Sequence, residues 1–156
     1  MQRSCIYGIN YYMRDKRCDV IQTLENVGLN KTPHRRTVLE ILINTDRPLS
    51  ASDVLKRNFG KKKINKVTVY RILSTFKKEG IIREVPNARG IKHYEMACRH
   101  NPIHPHFHCS VCKTMTCLSP LTLSNALEWF AKPYDFIVED ISVNITGVCN
   151  RCRGKE

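Results

Sequence analysis

The sequence predicts an α+β fold in two modules, and three observations predict it. Apolar residues recur with the 3.6 period of helices as far as Gly80 and in shorter, strand-like runs over much of the remaining chain. Positive charge is concentrated early: residues 1–97 carry 20 basic and 9 acidic side chains, whereas residues 98–156 carry 6 and 5. Metal-ligand chemistry is concentrated late, because six of the 8 Cys (Cys98, Cys109, Cys112, Cys117, Cys149, Cys152) and four of the 6 His (His100, His104, His106, His108) fall in the second stretch. A chain divided in this way reads as one module for a polyanion and one for a soft metal. The expected boundaries are an N-terminal extension over 1–14, a first module over 15–97 and a second over 98–156.

In residues 15–27, Val20, Ile21, Leu24 and Val27 have amphipathic spacing, and Gly28 is the expected stop of a first helix. Thr32-Pro33 supplies an N-cap and a first-position proline for a second helix, with Val38, Leu39, Ile41, Leu42 and Ile43 as its buried stripe and its end near Asn44. Ser50-Ala51-Ser52-Asp53 resembles a capping box and opens a short third helix through Val54, Leu55 and Phe59. Asn65 caps a fourth, stopped by Gly80. Its Val69, Ile72, Leu73 and Phe76 point inward together, which leaves Lys66, Thr68, Tyr70, Arg71, Ser74, Lys77 and Lys78 off the buried stripe. IIREVP, the turn residues Asn87 to Gly90 and IKHYEMA then predict a hairpin. Helices ending in a basic one and followed by a hairpin describe a winged helix, in which the late helix enters the major groove and the wing lies along the backbone. Beyond residue 98 come a short strand (KTMTCL), a helix over Leu121–Lys132 and an alternating segment, FIVEDISVNITGVC.

With 42% hydrophobic residues the chain can bury a core, and no apolar run approaches the roughly 18–20 residues that span a bilayer. The first residues lack the apolar core of a signal peptide, so the expected location is the cytoplasm, with no membrane partner. Thiols stay reduced there, and eight cysteines suggest metal binding or redox sensing before a disulfide framework. Cys5 and Cys18 stand alone and read as small buried or incidental residues.

Two Cys-x-x-Cys pairs, Cys109/Cys112 and Cys149/Cys152, are separated by 36 residues. Each pair can hold one ion from a tight turn, and two pairs complete a four-thiolate zinc site that adds folding free energy to a small module. A redox dithiol in each pair is the rival reading. Cys98, His100, His104, His106, His108 and Cys117 remain around the junction of the modules, with Glu84, His93 and Glu95 in the preceding hairpin. Residues spaced by two along a strand share a face, and imidazoles with a thiolate suit Zn(II) better than a hard cation. A zinc deaminase would need His-x-Glu before its Cys-x-x-Cys. His93-x-Glu95 is the one such pair, and the proline expected before Cys109 is missing, so the chain is not read as an enzyme.

Gly28-Leu29-x-Lys31-Thr32-x-x-Arg35, Val67-Thr68-Val69-Tyr70-Arg71-Ile72-Leu73, His104-x-His106-x-x-Cys109-x-x-Cys112 and Cys149-x-x-Cys152 together resemble the ferric uptake regulator superfamily of metal-responsive repressors, over about residues 16–152. The resemblance implies a winged-helix DNA-binding domain followed by a small α/β dimerisation domain. It also implies a homodimer on inverted-repeat operator DNA and two Zn(2+) per subunit, one structural and one regulatory. The structural ion falls to Cys109, Cys112, Cys149 and Cys152, and DNA reading to Thr68, Tyr70 and Arg71 with Lys31 and Arg35 near the backbone or minor groove. Iron-responsive members place a histidine before the third helix where this chain has Asp46-Arg47-Pro48-Leu49. The zinc uptake branch is the better match, with Cys98, His104 and His106 as regulatory ligands and Glu84 or Cys117 as the fourth. Zinc at that set would select the dimer that spans two half-sites. Iron- and peroxide-responsive members of the superfamily are the alternatives. The residue after Cys112, usually Gly in the family, is Lys113 here, and the family's third metal site is not visible in 121–146.

Overall fold

A computed structural model describes residues 18–58, 64–85, 90–118 and 143–154. The described residues as far as Asn101 form one compact unit and those from Pro102 onward another. The division falls after the turn 98–101 because that turn is tied back to the first unit. Asn101 Nδ2 donates to the Met96 carbonyl at 2.8 Å, and an Arg83 guanidinium nitrogen donates to the Asn101 carbonyl at 2.9 Å.

The first unit follows its caps. Helix α1 (Val20–Asn26) starts where the Asp19 carboxylate accepts from the Gln22 N–H at 2.7 Å, and Gly28 ends it with φ +68°. The expected start at residue 15 is moved to Val20 by that cap; residues 15–17 lie outside the described ones. Helix α2 (Pro33–Ile43) has Thr32 as N-cap and Pro33 in its first turn, where the missing N–H costs nothing. Strand β1 (Leu49–Ser50) leads into α3 (Ala51–Arg57), whose capping box is reciprocal: Asp53 N–H donates to Ser50 Oγ and Ser50 N–H to Asp53 Oδ2, each at 3.1 Å. The helix ends at Arg57 with Asn58 as its C-cap residue, and Phe59 lies outside the described residues. Asn65 accepts from the Thr68 N–H at 2.8 Å and opens α4 (Lys66–Lys78), and Gly80 closes it at φ +68°.

Strands β2 (Ile82–Val85) and β3 (His93–Met96) form the antiparallel wing, and β1 adds to it through Leu49 opposite Tyr94, giving the order β1-β3-β2. β1 was not expected, since two residues are too short to show a period. Most of the predicted turn, 86–89, lies outside the described residues. Val69, Ile72, Leu73 and Phe76 of α4 are all buried as their spacing predicts, against Leu24, Val38, Leu39, Leu49 and Val54 from the other elements.

The second unit is a small sheet. Strands β4 (His106–Cys109), β5 (Met115–Cys117) and β6 (Asn144–Gly147) stand in the order β5-β4-β6, with β4 antiparallel to β5 and parallel to β6. A one-turn helix α5 (Asn150–Arg153), not expected from the sequence, follows with Cys149 as its N-cap residue. At Gly147 a Cβ would stand 3.2 Å from the Phe107 ring, so the residue opposite Cys109 in the parallel pair has no room for a side chain without movement of that ring. The predicted helix over 121–132 and the alternating positions 137–142 lie outside the described residues. Among the described residues no helix is long and apolar enough to cross a membrane.

Candidate metal centres and nucleic-acid face

Cys109 ends β4 and Cys112 lies in the turn after it; Cys149 and Cys152 occupy the corresponding place after β6. Because β4 and β6 are adjacent and parallel, both pairs arrive at the same end of the sheet, and one sulfur of each of the four cysteines lies within 4.8 Å of the others. Sulfurs about 2.3 Å from one ion stand about 3.8 Å apart at the corners of a tetrahedron. Cys112 Sγ and Cys149 Sγ are 3.7 Å apart, which is that edge.

The first turn after β4 requires a left-handed residue, and Lys113 supplies it at φ +62°, with its N–H donating to the Cys109 carbonyl at 3.1 Å and its ammonium to the Ser110 carbonyl. The Cys149 N–H points at Cys109 Sγ from 3.4 Å and is the main cause that brings the Cys109 thiol down to about 5. Cys112 Sγ lies 3.3 Å from the Thr114 hydroxyl, which lowers that thiol as well. Cys152 is pushed the other way, to about 12, by burial and then by its neighbouring cysteines. Backbone dipoles therefore support negative charge here while the sulfurs oppose each other's ionisation, a conflict that a dication removes. The donor set fits a structural Zn(II).

His104, His106 and Cys117 form a second group, again with ligand atoms within 4.8 Å of one another. The register explains half of it, because His106 on β4 stands directly opposite Cys117 on β5. His104 precedes the strand, and its ring packs at 4.5 Å, centroid to centroid, from that of His106. Its Nδ1 lies 2.8 Å from the Pro102 carbonyl; only an N–H can bond there, so Nε2 is left with the lone pair. Both histidines are buried, and a buried pair of imidazoles beside a thiolate is a borderline-soft donor set. His108 lies outside the group, with Nδ1 buried and unpartnered among the described residues.

Two of the expected regulatory ligands, Glu84 and Cys98, belong to the first unit and have partners there. Glu84 is engaged on the wing: Lys77 of α4 donates to it at 2.7 Å and Lys92 stands at 3.5 Å, and the Lys77 hydrogen bond chiefly holds its carboxyl below the ordinary range. Lys77 lies one turn back on the helix that feeds β2, so the pair was in reach of a sequence reading that looked for cations as well as ligands. The buried carboxylate of the wing is instead Glu95, ion-paired to Arg83 at 2.6 Å. Cys98 is grouped with Cys18 and His100. Seventy-nine residues separate the two cysteines, which is why Cys18 reads as incidental in the sequence.

The nucleic-acid residues predicted on α4 are presented to solvent. Tyr70 is 48% exposed and Val67 60%, Arg71 is exposed and Thr68 half-buried, while Lys66 Nζ stands 5.9 Å from the Tyr70 ring centroid. Lys31 pairs with Glu25, and Arg35 in the first turn of α2 donates to the Asn30 carbonyl at 3.0 Å. Hydroxyl, phenol and guanidinium thus stand within four positions of one another at the start of an exposed helical face.

Comparison with known proteins agrees with this geometry. Residues 26–146 match the ferric uptake regulator family. The chain is 30% identical over 132 residues to the ferric uptake regulation protein of Bordetella parapertussis, covering 83% of this chain and 94% of that protein. It is 27% identical over 139 residues to the peroxide operon regulator of Bacillus subtilis, covering 88% and 94%. Among solved structures, the Vibrio cholerae ferric uptake regulator superposes with a TM-score of 0.71 at 27% identity, over 84% of this chain and all of that one.

Proposed function

We propose that this chain, which belongs to the ferric uptake regulator family and is thereby a metal-responsive transcriptional regulator rather than an enzyme, is the zinc-responsive kind: a repressor of zinc-uptake genes that binds inverted-repeat operator DNA as a homodimer. The observation that carries the choice of metal is the group His104, His106 and Cys117. Oxygen-rich sites suit harder cations, whereas two imidazoles and a thiolate favour Zn(II). The absence of histidine in Asp46-Arg47-Pro48-Leu49 supports the same choice.

In this reading Cys109, Cys112, Cys149 and Cys152 hold one zinc permanently and shape the second unit, while His104, His106 and Cys117 hold a second that reports zinc supply. The three donors of the second unit leave one corner of a tetrahedron to a further ligand. The regulatory set is taken without Glu84, which the lysines hold, and without Cys98. Thr68, Tyr70 and Arg71 read base edges, with Lys31 and Arg35 on phosphates. Val143, Ile145 and Val148, between 36% and 44% exposed on and beside β6, the last strand of the sheet among the described residues, suit an interface between two copies.

Fluorescence anisotropy of an inverted-repeat operator, titrated with the protein at buffered free Zn(II), Fe(II), Mn(II) and Ni(II), tests the reading. Zn(II) is expected to raise affinity by about 5–150-fold, the usual range of coupling between two sites, and His104→Ala or Cys117→Ser to remove that gain. A gain with Fe(II) or Mn(II) and none with Zn(II) would overturn it in favour of an iron- or peroxide-responsive regulator.

A further inference from the structure

We infer that Cys18, Cys98 and His100 form a third zinc site, lying wholly within the winged-helix unit and separate from both sets above. The ligand atoms of the three lie within 4.8 Å of one another. Cys18 Sγ is 3.5 Å from His100 Nδ1, and a sulfur and an imidazole nitrogen bound to one tetrahedral zinc stand about 3.6 Å apart. The donors already have the spacing that an ion would impose.

They are also held in place by bonds that do not involve the ion. Cys98 and His100 sit in the turn 98–101, which is closed by the Asn101 N–H donating to the Cys98 carbonyl at 2.9 Å and anchored through Asn101 to Met96 and Arg83. Cys18 immediately precedes Asp19, whose carboxylate and carbonyl cap the first turn of α1. Both cysteines pack against the apolar core, so their sulfurs are half-buried rather than free to sweep the surface. Such preorganisation lowers the ordering cost of binding.

Zn(II) would displace the two thiol protons and take the Nδ1 lone pair of His100. The imidazole proton then resides on Nε2, and the exposed Arg99, whose Nε now stands 3.3 Å from that nitrogen, turns away. Three donors among the described residues leave the fourth corner to water or another ligand. The site closes a loop of about 80 residues between the start of α1 and the exit of the wing, so the ion acts as a staple across the ends of the DNA-binding unit.

The test is the zinc content of the whole dimer after equilibration at buffered free Zn(II), with wild type compared to Cys18→Ser, His100→Ala, His104→Ala and the Cys18→Ser/His104→Ala double variant. Cys18→Ser and His100→Ala are each expected to lose about one zinc per chain, and the double variant one more than either parent. In parallel, alkylation of Cys18 in the wild-type protein, mapped by mass spectrometry, is expected to slow by tenfold or more when zinc is added. That measurement needs no variant to fold. The inference is overturned if Cys18→Ser retains the wild-type zinc content with no protection of Cys18, or if Cys18 and Cys98 are recovered as a disulfide that zinc does not prevent. A loss in Cys18→Ser with none in His104→Ala would instead count against the regulatory set and leave this site standing.

Discussion

In the first unit Leu24, Val38, Leu39, Val69, Leu73 and Phe76 are withdrawn from water completely, and they belong to one continuous apolar cluster. In the second, the buried hydrophobic residues among those described are Cys109 and Met115, and beside them lie buried His104, His106 and His108. Among the described residues, the interior of the first unit is hydrocarbon, and that of the second includes groups that could hold a metal. Hydrocarbon cores hold at any metal concentration, because their driving force is the solvent's. The imidazoles and thiols that the described sheet buries would gain order from an ion that they close around. The first unit thus rests on a driving force that is independent of metal, whereas the described sheet of the second carries the candidate metal ligands.

The sharpest way to break that contrast is to remove the structural ion. Cys149→Ser, or prolonged chelation, is expected to remove on the order of 10 kcal/mol of binding free energy from the second unit and abolish dimerisation, while helical circular dichroism from the first unit persists. Loss of both signals together would show that the units do not fold separately. The reciprocal change is Phe76→Ala, expected to cost the first unit about 3–5 kcal/mol and to lower its melting temperature without altering the zinc content of the four thiolates. Arg71→Ala separates recognition from stability. It is expected to weaken operator binding by about 1–3 kcal/mol if it meets a base edge, relaxing specificity at one position, with melting unchanged. A uniform loss across sequences with a smaller salt slope would assign Arg71 to phosphate instead. The smallest effect runs in the favourable direction. Lys113→Gly relieves the left-handed turn beside Cys112 and is expected to stabilise the second unit by about 1 kcal/mol, seen as tighter zinc retention against a chelator, despite loss of the ammonium bond to Ser110.

What the sequence disclosed divides along the same line between local and distant. The caps at Thr32, Ser50, Asp53 and Asn65 and the stops at Gly28 and Gly80 are local chemistry, and each lies where the residue types predict. The convergence of the four cysteines is legible because the spacing within each pair names a turn and two such pairs suit one ion. The strand β1 was not, since its partner Tyr94 lies 45 residues from Leu49 and two residues carry no period. The pairing of Glu84 is not legible because it depends on cations brought to it by α4 and by Lys92 across the wing, which residue type alone does not show. Cys18 was passed over for the same reason: a thiol without a neighbour in sequence acquires two donors through the packing of α1 beside the turn after β3.

The parallel pairing of β4 with β6 has a consequence for how the second unit assembles. Each strand delivers its cysteine pair at its C-terminal end, with Cys109 beside Gly147. A slip that preserves which side chains face which way must move a strand by two residues, about 6.6 Å, and at that offset the sulfurs of one pair are carried beyond bonding distance of an ion held by the other. Only one alignment can be metallated. An ion held by all four cysteines would therefore select one pairing of two strands that are far apart in the chain, and leave a misaligned sheet empty.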